Sequence, residues 1–326
     1  MMRAAYYDDQ GPAHEVLHVG DVPVPEPGPG EVRIRVAVSG VHVGDVGKRR
    51  GYWGSTMPYP RVIPHGDGAG TIDAVGAGVA PARVGKRVWV YLAQSYRPFG
   101  TAAEYAVVPA GHAVVLPAEV DLDQGAVLGI PGITGHRAVF ASGPVDGRTV
   151  LVTGPLGGVG RAALAVARRG GANVIAGVRH AEQVDETLAA GAHHVVKLWE
   201  GDVAGQIRAV APEGVDRIAE IDLARNLDLD IEVLKVGGVI ATYATSDSKA
   251  PVSYWPLAFK NITVQYLSND DFPEEANEAA AADLTAALAA GDLRYPIAAR
   301  YPLDRIADAQ DATEEAGAAG RVVVDL

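Results

Sequence analysis

The sequence has no cysteine in its 326 residues. That excludes a disulfide framework, a thiolate zinc site and a thiol nucleophile. Positive charge is also scarce: Lys and Arg number 28 against 40 Asp and Glu, a net charge of −12. Such a balance argues against nucleic acid or an anionic membrane as the main partner. Met1 to Gln10 lacks the apolar core of a signal peptide. No stretch reaches the roughly 18 apolar residues of a membrane span. The expectation is a cytoplasmic enzyme of about two domains, with 48% apolar residues to build their cores.

The first third is rich in Gly and Pro and in short β-like runs. Val32–Val38 alternates long polar and apolar residues, as a half-buried strand does. Gly70–Val75, Arg87–Tyr91 and Glu104–Val108 read as further strands of a small β-rich, barrel-like domain. Residues Asp121–Ile130 suit a helix, with a break at Pro131-Gly132 and a resumption over Thr134–Ser142. From Thr149 onward, strand and helix alternate as far as Tyr243, which predicts a doubly wound parallel sheet. A long Ala-rich helix, Glu274–Ala290, ends at Gly291. The strands Ile297–Tyr301 and Arg321–Val324, with a helix between them, close the chain.

The most informative motif is Gly154-Pro155-Leu156-Gly157-Gly158-Val159-Gly160. It follows the apolar strand Thr149–Thr153 and opens an apolar helix, the context of a Rossmann turn. Glycines there let the backbone approach a pyrophosphate, and N–H groups at the helix start face the anion. The plain alternative is an ordinary strand-to-helix loop. NAD-preferring sites carry Asp or Glu at the tip of the second strand, for the ribose 2′-OH. Here that strand ends Val178-Arg179-His180. A guanidinium at this tip suits a 2′-phosphate, so the sequence predicts NADPH. A solvated surface Arg is the alternative.

Several further motifs, in order along the chain, resemble the medium-chain dehydrogenase/reductase superfamily, and most closely its zinc-free quinone oxidoreductase (zeta-crystallin-like) branch. They are Pro27-Gly28-Pro29-Gly30-Glu31-Val32, Gly40-Val41-His42-Val43-Gly44-Asp45, Pro64-His65-Gly66-Asp67-Gly68-Ala69-Gly70, Val84-Gly85-Lys86-Arg87-Val88 and Gly129-Ile130-Pro131-Gly132-Ile133-Thr134. The resemblance implies an α/β fold of two parts. A GroES-like β-rich catalytic domain takes residues 1–123 and 264–326. A Rossmann domain takes residues 124–263. The resemblance also implies an active site in the cleft and a homodimer.

For NADPH, it implies that Gly157, Gly158 and Val159 hold the pyrophosphate and that Thr134 lies near the cofactor. Gly154, in the tight turn, and Gly160, which lets the helix pack closely on the strand, complete the cofactor-binding set. Tyr243, Ala244 and Thr245 border the nicotinamide. Arg321 is either a phosphate ligand or a surface charge on the last strand. This chain departs from the pattern at Pro155-Leu156, which replaces two small residues, at Gln183 for a Lys, at Leu198 for a Tyr and at His42 for an Asn.

Zinc-dependent relatives polarise an alcohol oxygen with a Cys/His/Cys-type site. No metal site is expected here. A quinone or α,β-unsaturated carbonyl accepts hydride and spreads the charge onto oxygen, so positioning and an oxyanion donor suffice. Tyr52, His42 and Trp53, read as lying on a loop from His42 to Tyr59, are the candidate catalytic residues. Tyr52 is a hydrogen-bond or proton donor, His42 a hydrogen-bond donor and Trp53 a wall. Aromatic packing and a satisfied interior His are the competing roles. Two other functions stay open. One is a biosynthetic enoyl reductase using Lys48-Arg49-Arg50 as a basic entrance for a CoA- or carrier-linked chain. The other is a non-catalytic NADPH-binding structural or regulatory protein. If Arg179 reads the 2′-phosphate, Arg179→Asp weakens NADPH more than NADH; an unchanged ratio of their kcat/KM values contradicts the assignment.

Overall fold

The computed structural model describes residues 1–315 and 320–326. The chain divides into two compact units. The first joins Met1–Ile130 to Tyr295–Leu326, and the second is Pro131–Arg294.

The first unit is β-rich. A hairpin of β1 (Met2–Tyr6) and β2 (His18–Val22) precedes β3 (Glu31–Val41), β4 (Asp67–Val75), β5 (Arg87–Val90), β6 (Tyr105–Pro109) and β7 (Ala113–Val115). In β3, Val32, Ile34 and Val36 are buried while Glu31, Arg33 and Arg35 alternate with them. The period of two therefore points one face into the core, together with Ile72, Val88 and Val90.

The second unit carries β8 (Thr149–Thr153), β9 (Asn173–Val178), β10 (His194–Lys197), β11 (Val215–Glu220), β12 (Leu234–Thr242) and β13 (Thr263–Tyr266), all pairings parallel. Their order is β10-β9-β8-β11-β12-β13. The chain winds outward from β8, then crosses back to β11, so the switch point lies between β8 and β11. Leu151, Ile175, Ile218 and Ile240, one from each central strand, form the core with Leu223, Leu227 and Ile231 of the helix Leu223–Val233.

The chain then returns to the first unit. There β14 (Ile297–Pro302) pairs parallel with β15 (Arg321–Asp325), and β15 pairs antiparallel with β3.

Several expectations shift. The helical break falls at Val127–Leu128, and the next helix runs Gly129–Phe140. Pro131 sits in its first turn, where the missing N–H costs nothing. The stretch expected as a loop from His42 contains the helix Val43–Arg50 and a 3₁₀ turn, Tyr52–Gly54. Residues 264–294, which the resemblance assigned to the first domain, pack in the second unit, where β13 extends the parallel sheet.

Asp230 is a buried carboxyl in the helix Leu223–Val233, and neither of its oxygens has a hydrogen-bond partner among the described residues. Burial and the nearby Glu220 push its pKa well above the usual carboxylate range. A folded-state pKa raised in this way stabilises the protein at low pH. That stability is lost as pH climbs from the ordinary carboxylate value through the raised one. Asp230→Asn removes the titration. Its melting temperature should fall less than wild type's as pH climbs above the ordinary carboxylate range. Parallel curves for the two proteins would contradict this.

Candidate functional site

The C-terminal edge of the parallel sheet gathers most of the residues singled out in the sequence. After β8 the chain turns at Gly154 (φ +62°) and Pro155, which is buried, and reaches the exposed Gly157, whose backbone is extended. The helix Gly158–Arg169 begins there. Its N-cap is a glycine with no side chain to cap it, and no acid lies in its first turn. The first four N–H groups of a helix have no partner within it, and the helix dipole adds positive potential at that end. A pyrophosphate fits this end as a carboxylate cap would.

Gly160 fixes where the helix starts. A Cβ there would lie 2.1 Å from the Gly154 carbonyl oxygen, so only glycine lets the helix pass under the turn. At Gly157 a Cβ would meet that oxygen at 3.4 Å, ordinary contact. The helix carrying Thr134 crosses close by: a Cβ on the next residue, Gly135, would lie 2.6 Å from the Val159 carbonyl oxygen. Thr134 itself is buried.

At the tip of β9, Gln183 Oε1 accepts the amides of Arg179 and His180 at 3.1 and 3.2 Å. Gln183 thus pins the loop. The exposed Arg179 guanidinium lies 3.7 Å from Asp222, just beyond β11.

The tips of β8 and β11 are clamped by Glu220, which is fully buried. It accepts from Thr153 Oγ1 at 3.0 Å, from Asn226 Nδ2 at 2.8 Å and from the Asp222 amide. Past β12, Tyr243 turns its hydroxyl inward, where burial and then Glu220 push its pKa up. That hydroxyl has no partner among the described residues. Ala244 and Thr245 are exposed, and Thr245 Oγ1 donates to the Asp247 carbonyl at 2.9 Å. A border for a ring would therefore come from Ala244, Thr245 and the Tyr243 backbone.

A cavity of about 300 Å³ lies at the opposite, N-terminal edge of this sheet, between Arg148, Asp216, Arg217 and Lys235. Asp216 pairs with Arg148 at 3.2 Å and with Lys235 at 2.9 Å, and Arg217 is spent on the carbonyls of Val139, Ser142 and Gly143.

In the first unit, His42 caps the helix Val43–Arg50. Its Nδ1 accepts the Gly44 amide at 2.9 Å, and Asp45 Oδ2 accepts the His42 amide at 2.9 Å. Burial, then Arg321 and Lys48, bring the His42 pKa down to about 3. The ring is therefore neutral with its proton on Nε2, which has no protein partner among the described residues. Asp45 is buried and also accepts the Gly66 amide; burial raises its pKa to about 6.

Arg321 donates to the Val41 carbonyl at 3.0 Å, and the charges of Asp67 and Asp45 favour its ionised form against burial. Tyr52 is half exposed, and its hydroxyl donates to Glu314 at 3.0 Å. Trp53, at φ 57°, lays its ring over Gly47.

His65 is buried and satisfied at both nitrogens. It accepts from Gln310 at 3.2 Å through Nε2 and donates through Nδ1 to Ser39 at 2.9 Å. Ser39 continues the chain to Thr101, and Thr101 to the Asp67 carbonyl. Among the described residues no group of three or more His, Asp or Glu stands ready to hold a metal ion. Lys48-Arg49-Arg50 is not a three-charge surface patch. Arg49 is fully buried against Gln310 and the Gly11 carbonyl, and Arg50 forks onto Glu314.

Sequence reasoning missed the Glu220 clamp, Asp222 and the hold of Gln183 on the Arg179 loop. The buried acid at the end of β11, so close to Asp222, was the one available signal.

Two family models match the chain: "Alcohol dehydrogenase GroES-like domain" over residues 28–118 and "Zinc-binding dehydrogenase" over residues 158–283. The quinone oxidoreductase of Lama guanicoe is 34% identical over all of this chain and 98% of its own length. A mycobacterial quinone oxidoreductase structure superposes with a TM-score of 0.87 at 28% identity, over the whole of both chains. A mycobacterial protein complexed with NADPH does so at 0.84 and 27%, again over the whole of both.

The glycine geometry separates folding from binding. Gly160→Ala should destabilise the protein by about 1–3 kcal/mol, as overpacking does. Gly157→Ala should melt as wild type but bind nucleotide more weakly. Equal melting temperatures for the two variants would contradict this.

Proposed function

The chain belongs to the medium-chain dehydrogenase/reductase superfamily, among the quinone oxidoreductases, and on that premise we propose that it passes a hydride from NADPH to a quinone or an α,β-unsaturated carbonyl without a metal. The observation that carries this reading is the glycine-rich helix start at Gly157–Gly160, which has no side-chain cap and no acid in its first turn, beside a β9 tip that bears Arg179 and no acid. The NADPH complex of the mycobacterial relative supports it.

NADPH, when bound, supplies the hydride. The helix start at Gly158–Gly160 holds the pyrophosphate, beside Gly157, whose own amide is bonded to the Gly154 carbonyl, and Arg179 holds the 2′-phosphate. Thr134, Ala244 and Thr245 stand on the same unit to flank the nucleotide. His42 offers the acceptor oxygen its Nε2–H. Its Nδ1 is committed to Gly44, and burial keeps the ring neutral, so the donor does not change with pH through the neutral range. A neutral imidazole polarising a carbonyl is sound chemistry, because a preorganised donor stabilises charge as it develops on oxygen.

Trp53 forms an apolar wall. Tyr52 already donates to Glu314, so it can donate to an acceptor only by giving up that bond. We assign the final proton to water. Arg321 spends one donor on the Val41 carbonyl and has Asp45 and Asp67 near enough to favour its charge, so we read it as a structural charge rather than a phosphate ligand, although its Nε has no partner among the described residues. With Arg49 and Arg50 turned into the fold, the basic entrance expected of an enoyl reductase for CoA-linked chains loses its support.

Absorbance of NADPH followed with a panel of quinones and enones tests the proposal. Turnover with at least one class is expected. Tight NADPH binding with no turnover of any acceptor would favour a non-catalytic role. Tyr52→Phe should lower kcat by less than about tenfold. A loss in the range of roughly 10²–10⁴ typical of acid–base residues would make Tyr52 the proton donor.

A further inference from the structure

The sheet order places β8 between β9 and β11. Neighbouring strands lie about 4.8 Å apart, so the tips of β9 and β11 stand roughly 10 Å apart across the end of β8. Arg179 leaves the first of these tips and Asp222 the second. Their side chains nevertheless come to 3.7 Å, Nη2 to Oδ2. They therefore reach toward each other over the end of β8, where the chain turns into Gly154.

The two ends of this contact are unequal. Asp222 is buried and fixed: its Oδ1 accepts both the amide and the hydroxyl of Ser246 at 2.8 Å. Burial opposes its ionisation, but the two bonds from Ser246, with Arg225 and Arg179, outweigh burial and hold the carboxyl below its usual value. Arg179 is fixed only at its backbone, by Gln183. Its side chain is exposed and makes no hydrogen bond among the described residues. The contact is an ion pair without hydrogen bonds, and Asp222 shares it with Arg225, whose Nε lies 3.6 Å from the same oxygen. Such partly exposed pairs exchange partners at little cost.

We propose that the Arg179–Asp222 pair is a latch across the nucleotide crevice that a 2′-phosphate opens by taking Asp222's place on Arg179, so that Asp222 sets cofactor discrimination. The proposal rests on the NADPH reading above. A dianionic 2′-phosphate competes for the guanidinium with a carboxylate that stays where it is and repels it. A 2′-hydroxyl carries no charge for that exchange. Asp222 is therefore a specificity residue acting through Arg179.

Calorimetric titration with 2′,5′-ADP and 5′-AMP tests this without turnover. Asp222→Asn keeps an oxygen for Ser246 and removes the charge. It should tighten 2′,5′-ADP by about three- to tenfold and shift 5′-AMP by less than about twofold. In an Arg179→Gln background the same change should tighten 2′,5′-ADP by less than about twofold, the direct repulsion alone, because the partner being contested is gone. Arg225→Gln, at an exposed position, leaves Asp222 wholly to Arg179. It should weaken 2′,5′-ADP and spare 5′-AMP, and it serves as a second test if Asp222→Asn melts below wild type. Unchanged or weaker 2′,5′-ADP binding in a stably folded Asp222→Asn protein overturns the latch alone. Failure of the wild type to bind either nucleotide overturns the NADPH reading, and the latch with it.

Discussion

The approach of the helix Gly158–Arg169 under the turn after β8 is the constraint on which the site depends. Gly160 passes so close to the Gly154 carbonyl oxygen that no side chain fits between them. That approach places the first amides of the helix at the edge of the sheet, beside the switch point. Gly157 brings no side chain to cap that end, and the helix dipole makes it favourable for an anion. Pro155, buried in the turn, stiffens the same geometry.

The loops around that turn are held by side chains bonded to backbone or to each other, and this determines which groups are left to act. Gln183 holds the Arg179 loop, Glu220 clamps the tips of β8 and β11, and Ser246 holds Asp222. In the first unit the same logic leaves His42 with one committed nitrogen and one available. It leaves His65 with none, since Gln310 and Ser39 occupy both. Burial then keeps both rings neutral, with pKa values brought down to about 3. His42 is thereby a donor of fixed polarity, and His65 a brace for the strand β4.

Much of this was legible in the sequence because the signals were local and periodic. The glycine turn and its helix, the strands at β9 and β10, and the long Ala-rich helix ended by Gly291 fall where the residue pattern put them. The helix Val43–Arg50 was not legible. Two glycines weaken its propensity, and its cap is a histidine, an unusual N-cap residue whose role depends on Asp45 answering it. The bounds of the helix Leu223–Val233 were not legible either, since Arg225, Asn226 and Asp228 mask the spacing of Leu223, Leu227 and Ile231. The inward turn of Arg49 and the meeting of Arg179 with Asp222 are tertiary facts. A run of basic residues looks solvated until the fold supplies Gln310 and Glu314.

The most direct test of the central claim is amide hydrogen exchange of the protein with and without NADPH. The account predicts slowed exchange in peptides spanning Gly154 to Arg161, and smaller protection at the β9 tip, because those amides would bond the bound phosphates. Protection elsewhere in the chain with none across the glycine turn would contradict it.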